Sequence, residues 1–365
     1  MSGGITQLVA IGAQDAHLVG NPEVSFFRST YKRHTNYSQT VERQVIQGSI
    51  SALGTSTVRF ERKGDLLGYV YLTITDGNQA LQLSDLTGPT LSNFGWPDLI
   101  DKVQLLIGGQ VIDEQRSIFS SNIAPDVFAQ NMTKAKTGVQ QGAFYPLRFF
   151  FCENWQSALP LVSLQYHDVE IRITWGKYAA LAYKSSGTPI RWDCFANFTY
   201  LDTDERSDLA NRPQDILIYQ VQQSVASQTK VQDITFNHPI KFMCSSNVQG
   251  SSTSLTKNGQ FSCDNKIKLQ LNGTDVADFK YAAPNFTALS TYYCVPFDDD
   301  NADDTFIYPF CLDTSKLQPT GTLNFSRLDS VRLISQTDNI VDDIYGVNYN
   351  ILRIQNGMGG LMYAN

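Results

Sequence analysis

Apolar and polar residues alternate with a period of two over several short stretches of this chain. Val169-Glu170-Ile171-Arg172-Ile173-Thr174-Trp175 shows the pattern most cleanly, and Lys266 to Leu271, Phe195 to Tyr200 and Val347 to Ile354 repeat it. Successive side chains of an extended chain point to opposite faces, so each stretch predicts a strand with one face buried. Leu67 to Thr75 is β-branched and aromatic and is followed by Gly77-Asn78, which predicts another strand and its turn. Gly108-Gly109 lies between Val103-Gln104-Leu105-Leu106-Ile107 and Val111-Ile112-Asp113, and predicts a hairpin whose turn needs positive φ. Helical stretches are few. Ser117 to Gln130 is one, with Pro125 expected to interrupt or end it, and a turn or two is expected around Asp15-Ala16 and from Phe26 to Arg33. Many short strands bounded by Gly, Pro, Asn or Asp, with little helix between them, predict an all-β chain of β-sandwiches.

A chain of 365 residues exceeds one usual core, so two domains are expected. The best boundary is Asp202 to Pro213, which is charged, poor in apolar residues and closed by a proline. Strand-rich segments of comparable length lie on either side. Residues 1–25 carry Gly3, Gly4, Gly12 and Gly20 with few charges, and are expected to form a mobile arm. Gly20-Asn21-Pro22 then turns the chain, and Phe26 and Phe27 are expected as the first core anchors beyond it. The expected organisation is an arm at 1–25, a first sandwich at 26–205, a linker at 206–213 and a second sandwich at 214–365.

Charge changes the picture. Charged residues make up 17% of the chain while 12% are aromatic. That is below the ~25% charge of an ordinary soluble protein. A surface poor in charge and rich in Tyr and Phe suits subunits that bury much of it against neighbours. The net charge of −7 argues against direct nucleic-acid binding, which needs clustered Lys and Arg. The one dense basic cluster runs from Arg28 to His34. Six cysteines are widely spaced with no CxxC pair, so neither a disulfide framework nor a zinc module is expected. No basic-then-apolar leader opens the chain, Ser2 does not fit the myristoylation motif, and no apolar run nears the ~20 residues of a membrane helix.

Candidate chemistry is sparse. His167 and Asp168 are neighbours on extended chain, so their side chains should diverge, and His167 is expected to be a hydrogen-bonded structural histidine. The acidic run Asp298 to Asp304 lacks the Gly and Glu placement of an EF-hand and reads as a solvated loop. No glycine pair makes a phosphate loop, and no GxSxG elbow is present. Cys152, after Phe149-Phe150-Phe151, is expected to be a buried small hydrophobe. No catalytic residue, metal ligand or cofactor is expected.

Four segments, in order from end to end, carry a resemblance. Gly3-Gly4-Ile5-Thr6-Gln7-Leu8-Val9-Ala10 leads to Gly20-Asn21-Pro22 and to Phe26-Phe27-Arg28-Ser29-Thr30-Tyr31-Lys32-Arg33-His34. Ile107-Gly108-Gly109-Gln110-Val111-Ile112-Asp113 forms an IGGQxID segment. Phe150-Phe151-Cys152-Glu153-Asn154 is followed by Ala158-Leu159-Pro160-Leu161-Val162-Ser163-Leu164-Gln165-Tyr166-His167-Asp168-Val169. Tyr345-Gly346-Val347-Asn348-Tyr349-Asn350-Ile351-Leu352-Arg353-Ile354 and Gly357-Met358-Gly359-Gly360-Leu361 close the chain. Together they resemble the major capsid proteins of the nucleo-cytoplasmic large DNA viruses. That resemblance implies two tandem eight-stranded jelly rolls with few short helices, and a non-enzymatic homotrimer that forms a pseudo-hexagonal capsomer of an icosahedral virion shell, assembled in the host cytoplasm. The partners it implies are neighbouring capsomers, minor capsid proteins and often an inner membrane layer. It places Arg28, Tyr31, Lys32, Arg33 and His34 near the capsomer's inner side, where an anchoring role is expected. The chain is short for that family, whose outward loops commonly carry long insertions, so elaborate outer decoration is not expected. A minor or penton-type capsid component is the alternative, separable by its abundance in virions. A cupin- or lectin-like jelly roll would need ligand histidines, and only four histidines are present.

Overall fold

The structure is a computed structural model that describes residues 3–88, 94–130, 142–180, 182–184, 187–246, 261–296 and 305–363. Two compact units divide it, Met1–Asn36 and Tyr37–Asn365. The first holds two short helices, α1 (Gly3–Val9) and α2 (Ala16–Val19), and neither buries a residue. Phe26 and Phe27, expected as core anchors, are 93% and 101% exposed, and no helix forms between Phe26 and Arg33. Two phenylalanines beside Arg28 have no strand of their own to place them in a sheet. The arm therefore runs through Asn36, and the first strand begins at Tyr37.

Among the described residues, the larger unit holds four antiparallel sheets of five or six strands and one small two-stranded sheet. Its first half contributes β1 (Tyr37–Gln44), β2 (Thr55–Arg59), β3 (Leu66–Thr75), β4 (Ile100–Ile107), β5 (Gln110–Arg116), β6 (Leu159–Pro160), β7 (Val169–Trp175) and β8 (Arg191–Leu201). They pair in the order β1-β8-β3-β6 in one sheet and β2-β7-β4-β5 in the other. The second half contributes β9 (Gln214–Ser224), β10 (Val231–Asp233), β11 (Pro239–Ser246), β12 (Lys266–Leu271), β13 (Thr274–Asp275), β14 (Thr305–Pro309), β15 (Val331–Ser335) and β16 (Ile344–Gln355). Their orders are β9-β16-β11-β14 and β10-β15-β12-β13. Counted within each half, both read 1-8-3-6 and 2-7-4-5. That is the topology of a jelly roll, twice, with further short strands flanking both halves, among them β17 (Met358–Leu361) beside β16 in the second.

The strands read from the sequence are present, for the physical reason given. In β7 every odd-numbered residue is buried and every even one is not, as one buried face requires. The Gly108-Gly109 turn has φ of 58° and 82°, positive at both central positions. Ser117 to Gln130 begins with a π-helical turn at Phe119–Ile123 and continues as α3 (Ala124–Val127), with Pro125 tolerated in its first turn. The charged segment read as a linker is a helix, with α4 (Phe150–Glu153) earlier in the chain and α5 (Thr203–Asn211) at this position. Asp202 caps α5 by accepting from Thr203 N at 2.7 Å, and Asp204 and Glu205 lie in its first turn, where carboxylates favour the helix dipole.

Candidate functional site: the seam between the two rolls

The two rolls meet along β5 and β9, and the segments singled out above converge there. β5 carries Asp113, the last residue of the IGGQxID stretch. Its Oδ1 accepts from Val221 N on β9 at 2.9 Å, and its Oδ2 accepts from Gln115 Nε2 at 2.7 Å. Gln220 of β9 donates its side-chain amide to the Ile112 carbonyl, and Arg116 Nε donates to Gln223 Oε1 at 2.9 Å. The chain thus laces strand to strand with side chains where no backbone ladder exists. Asp113 is 3% exposed, and that burial pushes its carboxyl up to about 7, against the pull of Val221 N and Gln115.

The aromatic segment around Cys152 supplies the next layer. Arg148 pairs with Glu153 at 2.9 Å, with side chains only 7% and 11% exposed. Burial opposes the guanidinium's charge, but Glu153 outweighs it and holds the pKa above the ordinary arginine value. The Arg148 carbonyl accepts from Gln115 Nε2 at 2.8 Å and from Tyr219 OH, across the seam, at 3.2 Å. Burial raises the Cys152 thiol far above its usual range, so it stays protonated beside this pair.

Below, the third and the fourth of those segments interlock. Tyr166 N donates to Gly357 O at 2.9 Å, and His167 Nδ1 lies 2.9 Å from Gly359 O and 3.2 Å from Gly359 N. Asp168 turns the other way, to Arg59 at 2.5 Å, so the neighbours diverge as expected of a strand. Glycine is required here: a Cβ at Gly108 would stand 2.5 Å from the His167 ring, and one at Gly359 would stand 2.7 Å from Leu164. At the foot of the seam Ser163 Oγ donates to Leu209 O in α5 at 2.8 Å.

Apolar packing closes the same surface. Phe119, Ile123, Val127 and Phe128 of the first half form one buried cluster with Val221, Phe242, Ile307, Tyr345 and Val347 of the second. Thr305 Oγ1 donates to Asp126 Oδ2 at 2.7 Å within it. An amide ladder backs β9 onto β16, with Asn350 Nδ2 donating to Gln220 Oε1 at 3.0 Å and Gln222 Nε2 to Asn348 Oδ1 at 2.9 Å. Among the described residues, no three His, Cys, Asp or Glu side chains come together as a metal site would need. Most of the seam's polar groups are spent on one another, while Arg148 Nε and Tyr345 OH are buried without a hydrogen-bond partner. What this arrangement does chemically is fix two rolls in one relation.

Arg28, Tyr31, Lys32, Arg33 and His34 lie elsewhere, exposed on the arm and outside any helix or strand. His34 Nδ1 sits 2.8 Å from Thr35 O. The acidic run Asp298 to Asp304 falls outside the described residues. Sequence reasoning passed over Asp113, Arg148, Glu153 and Gln220. The available signal was an Arg and a Glu bracketing Phe149-Phe150-Phe151, since charges flanking an aromatic run are buried only as a pair.

Comparison with known proteins fits this architecture. Residues 25–202 match the family "Major capsid protein N-terminus", and residues 205–360 match "Large eukaryotic DNA virus major capsid protein". The major capsid protein of Pyramimonas orientalis virus is 32% identical over the whole of both chains, and that of Paramecium bursaria Chlorella virus 1 is 28% identical, likewise over both. Among solved structures, a chain of the PBCV-1 virus capsid superposes with a TM-score of 0.72 at 26% identity, covering 93% of this chain and all of that one. The Faustovirus major capsid protein shares the fold, with a TM-score of 0.61 at 10% identity over 94% of both chains. The chain belongs to the major capsid proteins of large eukaryotic DNA viruses, and it is a double jelly-roll structural protein of the virion.

Proposed function

We propose that, as such a capsid protein, the chain assembles into homotrimers that serve as pseudo-hexagonal capsomers of an icosahedral shell, without enzymatic activity. The observation that carries this reading is the seam. Two rolls of identical strand order are locked side by side, so three chains supply six like modules around one axis. Neighbouring capsomers and minor capsid proteins are the partners, with an inner membrane layer behind them. Arg28, Tyr31, Lys32, Arg33 and His34 serve as the inner-face anchor, supported by their exposure beside the equally exposed Phe26 and Phe27. The residue boundaries of this reading are an arm ahead of Tyr37, a first roll to Leu201, α5 as connector, and a second roll from Gln214. Light scattering and electron microscopy of the purified protein test it. Closed threefold particles are expected, and a stable monomer at micromolar concentration would sink the reading.

A further inference from the structure

The six cysteines are all free thiols, and two of them stand on segments that are fastened to each other. Cys294 is the last residue of the helix Ala288–Cys294, which packs beside β14. Cys311 follows β14, two residues after its end at Pro309. The chain bends at residues 310–312 and again at 314–315. Thr314 then donates twice to the Cys294 carbonyl, from its N at 2.9 Å and from its Oγ1 at 3.3 Å. Val295, next to Cys294, shares one buried cluster with Cys311. Lys241 of β11 grips the same bend from beside it. Its carbonyl accepts from Phe310 N at 3.0 Å, and its buried Nζ donates to Thr314 O at 2.6 Å.

We propose that Cys294 and Cys311 are a dithiol pair that closes to a disulfide on meeting a hydroperoxide, stapling the end of that helix to the bend after β14. Burial pushes the Cys311 thiol up to about 11, the Lys241 ammonium pulls it back, and a charge on Cys294 pushes it further, so the two sulfurs lie within electrostatic reach. Cys244 shares the cluster of Cys311, but its Sγ is turned to the Tyr345 carbonyl at 3.7 Å and burial alone raises its thiol. Cys294 is half-buried while Cys311 is buried, so the oxidant meets Cys294 first. The peroxide O–O bond breaks, Cys294 Sγ takes a hydroxyl as the sulfenic acid, and one water leaves. Cys311 Sγ then attacks Cys294 Sγ. The S–S bond forms, the S–O bond breaks, and the hydroxyl leaves with the Cys311 proton as a second water. Both thiols are raised by burial, so closure is slow. A virion protein is made inside a cell, where thiols are kept reduced, and later meets an oxidising medium. The staple therefore suits a particle after release and leaves folding unhindered.

The test uses the full chain with exposed Cys263→Ser as background, kept in hydrogen peroxide at pH 8 and compared with the same protein in dithiothreitol. A protease that cuts before aspartate separates the two cysteines, because Asp298 and Asp304 lie between them. Mass spectrometry without reduction is expected to find the Cys294 and Cys311 peptides joined, two hydrogens lighter than their sum. The melting temperature is expected to rise by several degrees, since the bond restricts the unfolded chain. Dithiothreitol should reverse both changes, and Cys294→Ser should prevent both. Cys294 driven to sulfinic or sulfonic acid beside a free Cys311 would overturn the pairing, as would Cys311 joined to Cys244. A joined pair with a lowered melting temperature would show that the native backbone does not admit the bond, and would overturn the staple.

Discussion

The two rolls have the same strand order and very different interiors. Among the described residues, the cluster centred on the first roll holds 37 buried side chains and the second roll's own cluster holds 14. The first is built on long strands, with Trp96, Tyr145, Trp175 and Trp192 packed ring to ring. The second has a sheet whose outer strands, β10 and β13, are only 3 and 2 residues long. Much of what the second roll buries, it buries elsewhere. Tyr345 and Val347 of β16 go to the seam cluster, and Ile218, Leu352 and Ile354 join the first roll's core. The jelly-roll order therefore tolerates a small core when a neighbour completes it, since apolar burial is proportional to area removed from water whichever roll supplies the cover. The second roll is stable as part of a pair, and the seam is where that dependence is concentrated.

The sharpest way to break the comparison is to remove β16. It runs between β9 and β11 in the second roll, and it also feeds two side chains into the first roll's core. Truncation before Tyr345 is expected to abolish the fold of both rolls, yielding aggregated protein because β9 and β11 lose their shared partner. Soluble protein with native circular dichroism from the first roll would show the two to be independent. A pair of milder changes separates seam from surface. Arg148→Met leaves Glu153 charged and buried, and should cost about 3–5 kcal/mol in urea unfolding. Arg353→Met removes an ion pair to Asp215 of similar geometry, 2.7 Å, but with side chains 45% and 48% exposed, and should leave the midpoint unmoved. Equal shifts would refute the account of the seam.

Asp113 provides a pH-dependent version of the same test. Its carboxyl titrates near 7 when folded and near 3.8 when unfolded, so the folded state keeps a proton that the unfolded chain gives up between those values. Its contribution is fully present below pH 4 and is lost as pH rises through 7, by up to ~4 kcal/mol at about 1.4 per unit. Asp113→Asn retains an acceptor for Val221 N and cannot ionise. The stability difference between the two proteins, measured by urea midpoints at pH 5 and pH 8, should shift toward the variant at the higher pH. Taking the difference isolates Asp113 from Asp342, which burial and Asp343 raise to about 6. A constant difference across that range would remove Asp113 from the seam's energetics.

Legibility in the sequence followed burial geometry. Strands with one covered face, such as β7 and β12, alternate and were readable. β16 was found as a strand, but its first seven residues are buried on both faces because the other roll covers the second face. Alternation alone therefore put Val347, Tyr349 and Ile351 on one buried face of the second roll, whereas Val347 belongs to the seam and Ile351 is only half-buried. The polar contacts of the seam were invisible for a simpler reason. Asp113 and Val221 are 108 positions apart, and no local pattern reports a partner at that distance. α5 was read as a linker because it carries no apolar stripe and buries no residue, so only its Asp202 cap marked it. Phe26 and Phe27 show the converse error, in which hydrophobicity was taken for burial although nothing in the strand pattern reaches them before Tyr37.

The smallest effect on stability is expected from the arm, which stands against both rolls as the part of the chain with no core of its own. None of residues 3–20 is buried, and Ile5, Leu8, Val9, Ile11 and Leu18 are each more than half exposed. Their apolar area contributes nothing to the folded state at ~25 cal/mol per Å², because it is not removed from water. The two helices are 7 and 4 residues long, far below the length at which a helix holds itself together in water. Deleting residues 1–20 should therefore leave the melting temperature and the trimer unchanged. Incorporation into particles should fall, because the exposed apolar side chains that the deletion removes, Ile5, Leu8, Val9, Ile11 and Leu18, are the features a docking segment needs and a folding segment does not. Calorimetry of the deleted protein, with co-assembly into particles beside the full chain, separates the two roles. A melting temperature lowered by several degrees would make residues 1–20 part of the folded body, and unimpaired incorporation would deny them a docking role.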